Sequence, residues 1–404
     1  MNVPFFRPSI GEEEKRAVAA VLESGWLTTG QTVREFETRF AAFLGVPHAV
    51  AVNSCTAALH LALEAAGIRQ DDVVLVPTMT FAATAEVVRY FGARPVLVDC
   101  DPDTLCVDPD AMAEAAATWA ARGRLKAMMP MHYGGQMADM PRLAAIAARY
   151  GLAVIEDAAH ALPAYLRESG DKPWRPAGDF SPFTCFSFYA NKCITTGEGG
   201  MITLRDAALA ERVRMMSLHG LSRSAWSRFE AHGSWYYEIV EAGFKYNLTD
   251  IAGALGVAQL EKADRFWRER RATAQSYSTL LEPLTDFLEL PRELENRQSS
   301  WHLYPIQLRL EQLDIDRAGF IEAMNQHGVT CSVHWMPLHL HPYYRRYAGY
   351  KPGDYPVASA VWPRLVSLPI FPGMSSPEVE QVCDAIITVI ERHARRGQLV
   401  AACA

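Results

Sequence analysis

A single lysine stands between two predicted strands in residues 183–204, which read FTCFSFYANKCITTGEGGMITL. The aromatic and β-branched run at 183–189 is typical of a strand, and a second strand is predicted after the GEGG turn. Lys192 lies between them, shortly after the hydroxyl residue Ser187. Burial of an ammonium group costs free energy, but partial desolvation also lowers an amine pKa and so favours the nucleophilic free amine. Lys192 is therefore a candidate for forming a Schiff base, and the alternative is a lysine in an ordinary surface loop.

The composition of the 404-residue chain is that of a soluble globular protein, with half of its residues hydrophobic and a formal net charge of -7. The length predicts two domains. No basic stripe is present, so we do not expect nucleic acid as a partner. No apolar run approaches the roughly 20 residues that span a bilayer, and the first residues lack a signal pattern. We therefore expect no membrane segment and a cytoplasmic protein.

The cysteines and the clustered histidines do not predict a metal site. The eight cysteines form no CxxC pair and several lie in apolar runs, so we expect buried free thiols. The run HWMPLHLH brings His334, His339 and His341 together, but its spacing matches no metal motif and a proline interrupts it. We expect no bound metal.

Apolar runs and helical patterns alternate through the first half of the chain. Strands are predicted at 48–53, 73–77, 95–99, 126–132, 152–157, 183–189 and 201–204. Helices are predicted at 12–24, 32–44, 56–66, 82–91, 110–121, 139–150 and 207–216. Strands that are apolar throughout and are joined by helices predict a mostly parallel sheet covered on both faces. The fold class is therefore α/β, with seven predicted strands in a large domain.

The C-terminal part of the chain is predicted to form a smaller α+β domain. The charged stretch at 262–281 is typical of a solvated helix that links two domains. After it, residues 301–308 resemble a strand and residues 315–327 resemble a helix. We therefore expect a large domain at 1–262 and a small domain at 263–404.

Residues that follow the predicted strands are candidates for ligand binding, because ligands of such sheets bind beyond the carboxyl ends of the strands. After the first strand, Ser54 precedes a predicted helix start, which is either a phosphate site or a simple N-cap. Phe81 follows the second strand, where an aromatic ring either stacks on a ligand or fills the core. Asp157 ends the fifth strand, where a buried carboxylate needs a cation or a hydrogen-bond donor.

Together these features are the parts of a pyridoxal phosphate pocket. Such a pocket requires a phosphate anchor, an aromatic beside the ring, a carboxylate for the pyridine nitrogen and a lysine for the Schiff base. The sequence therefore predicts pyridoxal 5'-phosphate as cofactor, with pyridoxamine 5'-phosphate as the intermediate that carries the amino group.

The chain resembles the DegT/DnrJ-type sugar aminotransferases, which are pyridoxal-phosphate enzymes of the aspartate aminotransferase fold (fold type I). The resemblance covers nearly all of the chain. It rests on the segments PSIGEEE, SGWLTTG, NSCTAALHLAL, PTMTFAATA, VIEDAAHA, FSFYANKCITTGEGG, FKYNLTDIAGALGVAQL, SVHWMPLHLHPYY and SLPIFPGM.

The resemblance implies roles for individual residues. Lys192 and Asp157 are implied to be catalytic, and His160 is implied to lie near the ring hydroxyl. The implied cofactor-binding set is Cys55, Thr56, Ala57, Phe81, Asp157, His160, Ser187, Lys192 and Asn247, with Thr56, Ala57 and Ser187 at the phosphate. Asn247 would reach the cofactor of the neighbouring subunit, which implies a homodimer with shared sites. His339 would approach the substrate, and the alternative is a polar loop histidine.

Two positions depart from the family pattern, and one residue separates amino transfer from a related activity. Cys55 occupies a position that is often glycine, and the connection at 162–178 is longer and more polar than usual. Some family members have histidine in place of the lysine and act as dehydratases, so Lys192 points to amino transfer.

The implied function is transfer of an amino group, most plausibly from L-glutamate, to a ketone on a nucleotide-linked sugar for amino-sugar, polysaccharide or glycoconjugate biosynthesis. An amino-cyclitol or other ketone aminotransferase of the same fold is an alternative. A third possible function is that of a non-catalytic regulatory protein that kept the fold. This possibility is disfavoured by the intact lysine, aspartate and phosphate turn.

Overall fold

A seven-stranded sheet lies at the centre of the computed structural model, which describes residues 2–221 and 237–395. The strands of the first part are β1 His48–Val52, β2 Val73–Pro77, β3 Arg94–Val98, β4 Leu125–Met128, β5 Ala153–Asp157, β6 Tyr165–Leu166, β7 Arg175–Pro176, β8 Phe183–Ser187 and β9 Gly200–Leu204. The order across the sheet is β1-β9-β8-β5-β4-β2-β3. Strand β9 is antiparallel to β1 and β8, and the other pairs are parallel. The predicted mostly parallel sheet is confirmed.

Helices cover this sheet at the positions that the sequence predicts. They are α1 Glu12–Ser24, α2 Gln31–Leu44, α3 Cys55–Ala65, α4 Ala82–Tyr90, α5 Pro109–Ala120, α6 Met140–Tyr150, α7 Ala207–Met216 and α8 Asp250–Leu260. Five of them begin after a residue whose side chain accepts a hydrogen bond from the first turn, namely Ser54, Asp108, Asp139, Asp206 and Thr249. Within the described ranges, no helix is both long enough and apolar enough to cross a membrane.

The C-terminal part combines helices with a small antiparallel sheet. Its elements are α9 Ala263–Leu281, β10 Leu288–Glu289, β11 Arg297–Gln298, β12 Tyr304–Leu308, α10 Arg317–Gln326, α11 Pro342–Ala348, α12 Pro356–Val361, β13 Leu365–Leu368 and α13 Ser376–His393. Short 3₁₀ turns occur at Tyr133–Gly135, Glu282–Leu284, Leu338–Leu340, Pro352–Asp354 and Trp362–Arg364. Strands β10, β12 and β13 pair antiparallel.

Two apolar clusters form the core of the described residues. The larger one surrounds the seven-stranded sheet, and the second packs α9, α10 and α13 against the small sheet. Val3 belongs to the second cluster, and Leu338, Tyr355 and Val361 belong to the first. Because the segment at Val3 and the segment at 338–361 each pack in the cluster of the other part, a domain boundary at 262/263 stays a prediction.

The long connection at 162–178 is held against the C-terminal part. Strands β6 and β7 lie within it and form a three-stranded sheet with β11. The backbone N–H of Arg167 also donates to the carbonyl of Asn296 at 3.1 Å. The segment therefore contains a hairpin, β6 and β7, that is held in place by its pairing with β11.

Helix α2 takes its N-terminal cap from a distant residue. The preceding Gly30 has no side chain to cap it, and the buried Asp250 accepts the N–H groups of Gly30 at 2.7 Å and Val33 at 3.0 Å, and that of Thr32 at 3.3 Å. A Cβ on Gly30 would lie 2.6 Å from the Asp250 carboxylate, so a larger residue there would displace this carboxylate from the N–H groups. Asp250 therefore joins the starts of α2 and α8.

We expect Asp250→Ala to lower the thermal unfolding midpoint by several degrees. Three backbone N–H groups would lose their acceptor, and each unmade bond costs about 1 kcal/mol or more. Calorimetry at fixed protein and cofactor concentration measures the shift, with the exposed Asp286→Ala as the matched control. Equal midpoints for the two variants would show that Asp250 does not carry the cap.

Candidate active site

The sheet brings the predicted site residues to one edge. Asp157 ends β5 and is paired with Cys185 of β8, and Ser187 ends β8 opposite Gly200 of β9. Gly200 in turn is paired with Val52, the last residue of β1, and α3 begins shortly afterwards. Lys192 follows β8 in the loop that leads to β9. Residues far apart in sequence thus converge because adjacent strands end together.

Asp157 is a buried carboxylate held by neutral donors. Its Oδ2 accepts a hydrogen bond from the hydroxyl of Thr84 at 2.7 Å, and its Oδ1 accepts the backbone N–H of Ala159 at 3.1 Å. Burial raises the pKa of this carboxyl, and the bonds from Thr84 and Ala159 and the charge of Lys192 oppose that rise. Since no ion pair to Asp157 forms within the described ranges, the carboxylate suits a protonated ring nitrogen.

Lys192 is partly buried, and its amine is tuned for nucleophilic chemistry. Burial lowers its pKa from 10.5 to about 8, and the nearby Cys55, Asp157 and Cys193 only partly offset the effect. A useful fraction of the amine is therefore neutral near neutral pH. Its backbone N–H donates to the carbonyl of Tyr189 at 2.9 Å, which fixes the loop after β8.

The start of α3 presents backbone N–H groups that suit the predicted anion site. The hydroxyl of Ser54 accepts the N–H of Ala57 at 3.1 Å, and the contact of Ala57 with a phosphate stays a prediction. The N–H groups of Cys55 and Thr56 precede any acceptor within the helix and suit a phosphate. A Cβ on Gly200 would lie 2.7 Å from the nitrogen of Cys55, so glycine lets β9 approach this cradle.

Cys55 and Ser187 complete the surroundings of this cradle. Burial and the charge of Asp157 raise the pKa of the Cys55 thiol well above its ordinary value, so the thiol is neutral and does not repel a phosphate. Ser187 is partly exposed, and its hydroxyl oxygen accepts the N–H of Tyr189 at 3.4 Å. The hydroxyl proton remains available to an anion.

His160 presents a defined tautomer to the site. Its Nδ1 accepts the backbone N–H of Gly134 at 3.3 Å, so the ring proton lies on Nε2. Burial and the charge of Lys192 lower the pKa of the imidazole well below its ordinary value, so the ring is neutral. The ring packs between His302, with centroids 4.1 Å apart, and Trp335, with centroids 5.0 Å apart. Nε2 can therefore donate a hydrogen bond to a ring oxygen.

Phe81 stands at the mouth of the site and not in the core. Its side chain is 58% exposed, and its ring centroid lies 6.3 Å from that of Trp335. The core alternative for Phe81 is therefore wrong, because the N-cap position of α4 turns the side chain outward. An exposed aromatic at this edge is free to flank a bound ring.

The structure adds residues that sequence reasoning did not select. Thr84 binds Asp157, and Tyr133 contacts Trp335, whose ring packs against His160. Thr84 lies in the segment PTMTFAATA and Trp335 in the segment SVHWMPLHLHPYY, and the family resemblance rests on both segments but gave neither residue a role. A hydroxyl in the first turn of the helix that follows β2 was the available signal for Thr84, but nothing in the sequence pairs it with Asp157.

His339 is not brought to the site as the predicted substrate contact. Its ring is buried, with Nδ1 2.8 Å from the hydroxyl of Thr78 and Nε2 2.9 Å from that of Ser359. Both nitrogens are thus occupied by the protein, and the ring packs on Tyr355. These contacts favour the alternative, a structural histidine, because no ring atom remains to bind substrate.

In the described part of the chain, no three metal-ligating side chains cluster.

Asn247 lies just before α8, where it contacts the loop after α1. Its amide donates to the hydroxyl of Thr29 at 2.7 Å, and its oxygen accepts from the amine of Lys245. The cap of α8 is Thr249, which accepts the N–H of Ala252 at 3.2 Å, so Asn247 is not the cap. Asn247 also pairs antiparallel with Val52, the last residue of β1, and its contact with a second subunit stays a prediction.

Comparisons with known proteins agree with this arrangement. The sequence model of the DegT/DnrJ/EryC1/StrS aminotransferase family matches residues 8–387. The chain is 42% identical over 390 residues to the spore coat polysaccharide biosynthesis protein SpsC of Bacillus subtilis, covering 96% of this chain and 97% of that protein.

Solved structures with similar folds also span almost the whole chain. The Streptococcus pneumoniae protein Spr1654 in its PLP form is 30% identical with a TM-score of 0.87, covering 97% of this chain and 99% of that chain. The sugar aminotransferase CalS13 from Micromonospora echinospora is 29% identical with a TM-score of 0.82, covering 96% of this chain and 99% of that chain. Spr1654 is also solved in a PMP form.

We expect the rate at which cofactor-free protein captures pyridoxal phosphate covalently to rise with pH and to level off above about 8, the pKa of Lys192. The reason is that only the neutral amine attacks, and burial destabilises the charged form. Stopped-flow absorbance measures the rate, and Lys192→Ala gives the background from other lysines. A midpoint near 10.5, the ordinary lysine value, would contradict the role of burial.

Proposed function

The chain belongs to the DegT/DnrJ/EryC1/StrS aminotransferase family and is a pyridoxal-phosphate-dependent aminotransferase, and we propose that it moves an amino group from L-glutamate to the ketone of a nucleotide-linked sugar. The observation that carries the proposal is the convergence of a low-pKa lysine, a buried carboxylate and a helix N-terminus at one sheet edge. The sugar aminotransferase CalS13 and the polysaccharide biosynthesis protein SpsC, both similar over nearly the whole chain, support a sugar acceptor.

The residues at this edge fit pyridoxal phosphate part by part. The N–H groups of Cys55 and Thr56 and the hydroxyl of Ser187 would hold the phosphate. Asp157 lacks a cation partner among the described residues, and a protonated pyridine nitrogen would supply one. His160 would donate its Nε2 proton to the ring oxygen.

Three side chains of the chain have separate roles in the proposed amino transfer. When bound, the cofactor supplies a carbonyl carbon that accepts the amino group and a ring that accepts the electrons of the substrate's carbon–hydrogen bond. Lys192, as a neutral amine, would take the proton from the α-carbon of the amino donor and, as an ammonium group, would deliver it to the carbon that has accepted the amino group. Asp157 holds the proton on the ring nitrogen, and the neutral His160 keeps the ring oxygen hydrogen-bonded.

The exposed ring of Phe81 and the partly buried ring of Trp335 at the mouth of the site suit a sugar acceptor. Phe81 and Trp335 face the same opening, with Trp335 also packed on Tyr133 and His160. Apolar ring faces of this kind contact the carbon–hydrogen faces of sugars while water is excluded from the reacting atoms. The nucleotide, the glutamate donor and a cytoplasmic location are part of the proposal and rest on the family resemblance.

We expect purified protein loaded with pyridoxal phosphate to release 2-oxoglutarate from L-glutamate and then to aminate a nucleotide-linked keto-sugar. Lys192→Ala should keep the cofactor through its phosphate but lose about 10²–10⁴-fold or more in rate, because the general base is removed. The exposed Lys172→Ala is the matched control. Mass spectrometry of the acceptor products measures the outcome.

Two results of this assay would revise the proposal. Turnover by Lys192→Ala at the wild-type rate would remove Lys192 from the mechanism. Amination of keto-cyclitols but of no nucleotide-linked keto-sugar would replace the proposed acceptor by the cyclitol alternative.

We also propose that the active unit is a homodimer in which Asn247 contacts the cofactor phosphate of the other subunit. Asn247 lies beside the loop that carries the half-exposed Trp26 and Leu27, and Thr29 of this loop binds Asn247 directly. Adjacent half-exposed apolar side chains favour a protein contact surface. Cofactor affinity would then be linked to dimerisation by mass action.

Mixed dimers test this sharing of residues. We expect Asn247→Ala alone to retain cofactor poorly and Lys192→Ala alone to be inactive, whereas re-paired mixtures regain activity. One of the two pockets in each hybrid has both residues intact, and about half of the dimers at equal mixing are hybrids. Activity at limiting cofactor is measured after native mass spectrometry has verified exchange. Verified hybrids without activity would show that the site is not shared through Asn247.

A further inference from the structure

Two buried threonines form a chain that ends on Asp157. The hydroxyl of Thr80 lies 2.7 Å from that of Thr84, and the hydroxyl of Thr84 lies 2.7 Å from Oδ2 of Asp157. Both threonines are fully buried, and Asp157 is only 3% exposed. Water therefore does not compete for these bonds, and each hydroxyl has a fixed partner.

The direction of the hydrogen bonds follows from the carboxylate. An ionised carboxylate only accepts, so Thr84 must donate its one hydroxyl proton to Asp157. The oxygen of Thr84 then accepts from Thr80, whose hydroxyl is the donor in that pair. Both hydroxyl dipoles point toward the negative charge, and each bond strengthens the other in a dry environment.

The backbone holds this chain of hydroxyls in place. Thr84 lies in the first turn of α4, where its N–H donates to the carbonyl of Phe81 at 3.2 Å. Its β-branched side chain is restricted to two main χ1 rotamers in a helix, and the bonds to Thr80 and Asp157 select one of them. The same helical turn therefore carries Phe81 at the mouth of the site and Thr84 behind it.

The carboxylate of Asp157 can accept a hydrogen bond from a further donor in addition to the two that it already accepts. Oδ2 accepts from Thr84 and Oδ1 accepts from Ala159, and each carboxylate oxygen has a second lone pair. Burial raises the pKa of the carboxyl, and the Thr84 bond is the largest of the contacts that lower it. Without this bond the carboxyl would take up a proton more readily.

We propose that Thr84, held by Thr80, is a positioning residue that orients the Asp157 carboxylate and thereby sets the protonation of the cofactor's ring nitrogen. The inference rests on the proposed role of Asp157. Thr84 does not touch reacting atoms, and it acts through the carboxylate. Loss of its hydroxyl shifts the shared proton from the ring nitrogen toward Asp157, which makes the ring a poorer electron acceptor.

The test uses the holoenzyme loaded with cofactor labelled with ¹⁵N in the ring. In Thr84→Val, which keeps the shape but removes the hydroxyl, we expect the ring-nitrogen resonance to move toward the unprotonated position. We expect kcat to fall about tenfold, while KM for the amino donor changes less than about threefold. Thr84→Ser should restore both the resonance and kcat, because the hydroxyl returns.

Three further variants separate this role from general structural damage. Thr80→Val breaks the chain without touching Asp157 and should move the resonance in the same direction by a smaller amount. It also keeps the test decisive if Thr84→Val does not fold. Thr38→Val removes an exposed helical hydroxyl that binds only the carbonyl of Arg34 and should leave the resonance unchanged. Asp157→Asn gives the reference for a ring nitrogen without its carboxylate.

The outcomes distinguish this inference from the proposed function. A wild-type resonance in both Thr84→Val and Thr80→Val, with a displaced one in Asp157→Asn, would overturn the role of Thr84 alone. Failure of Thr84→Ser to restore the resonance would overturn it as well. An unchanged resonance in Asp157→Asn would remove Asp157 as the partner of the ring nitrogen and overturn both.

Discussion

Desolvation of Asp157 at the end of β5 is the constraint on which the site depends. A carboxylate removed from water is stable only where hydrogen-bond donors bind it, and helix α4 and the segment after β5 supply two of them. The hydroxyl of Thr84 and the N–H of Ala159 bind the carboxylate, while the backbone of Asp157 bonds to Pro130 and His132 of the neighbouring segment. The carboxylate is thus fixed without a cation of its own among the described residues, and a cationic ring nitrogen completes the balance.

The same burial acts in the opposite direction on Lys192. Removal from water destabilises the charged form of either group, so it raises the pKa of Asp157 and lowers that of Lys192 to about 8. One feature, a dry edge of the sheet, therefore gives both groups the properties that the proposed function requires, which are an acceptor for the ring nitrogen and a neutral amine for proton transfer. His160 follows the same rule, because its lowered pKa keeps the ring neutral with the proton on Nε2.

The C-terminal part builds one wall of this dry site. The hydroxyl of Ser300 donates to the carbonyl of His160, and Tyr133 donates to the carbonyl of His334. A Cβ on Gly135, which has a φ of 109°, would collide with Ser300, so only glycine lets the two parts approach. Trp335 then reaches His160 from this wall. A displaced wall would admit water and weaken each pKa shift.

The sequence by itself determined the seven apolar strands, the helices between them and the strand-end residues, because burial and periodicity are local properties of the chain. It identified Asp157 and Lys192 for the same reason, since a charged residue beside a buried strand is locally anomalous. Only the tertiary structure paired Thr84 with Asp157, placed Phe81 at the surface and enclosed His339 between two hydroxyls. Those outcomes depend on which side chains meet across elements distant in sequence, and no local pattern encodes such meetings.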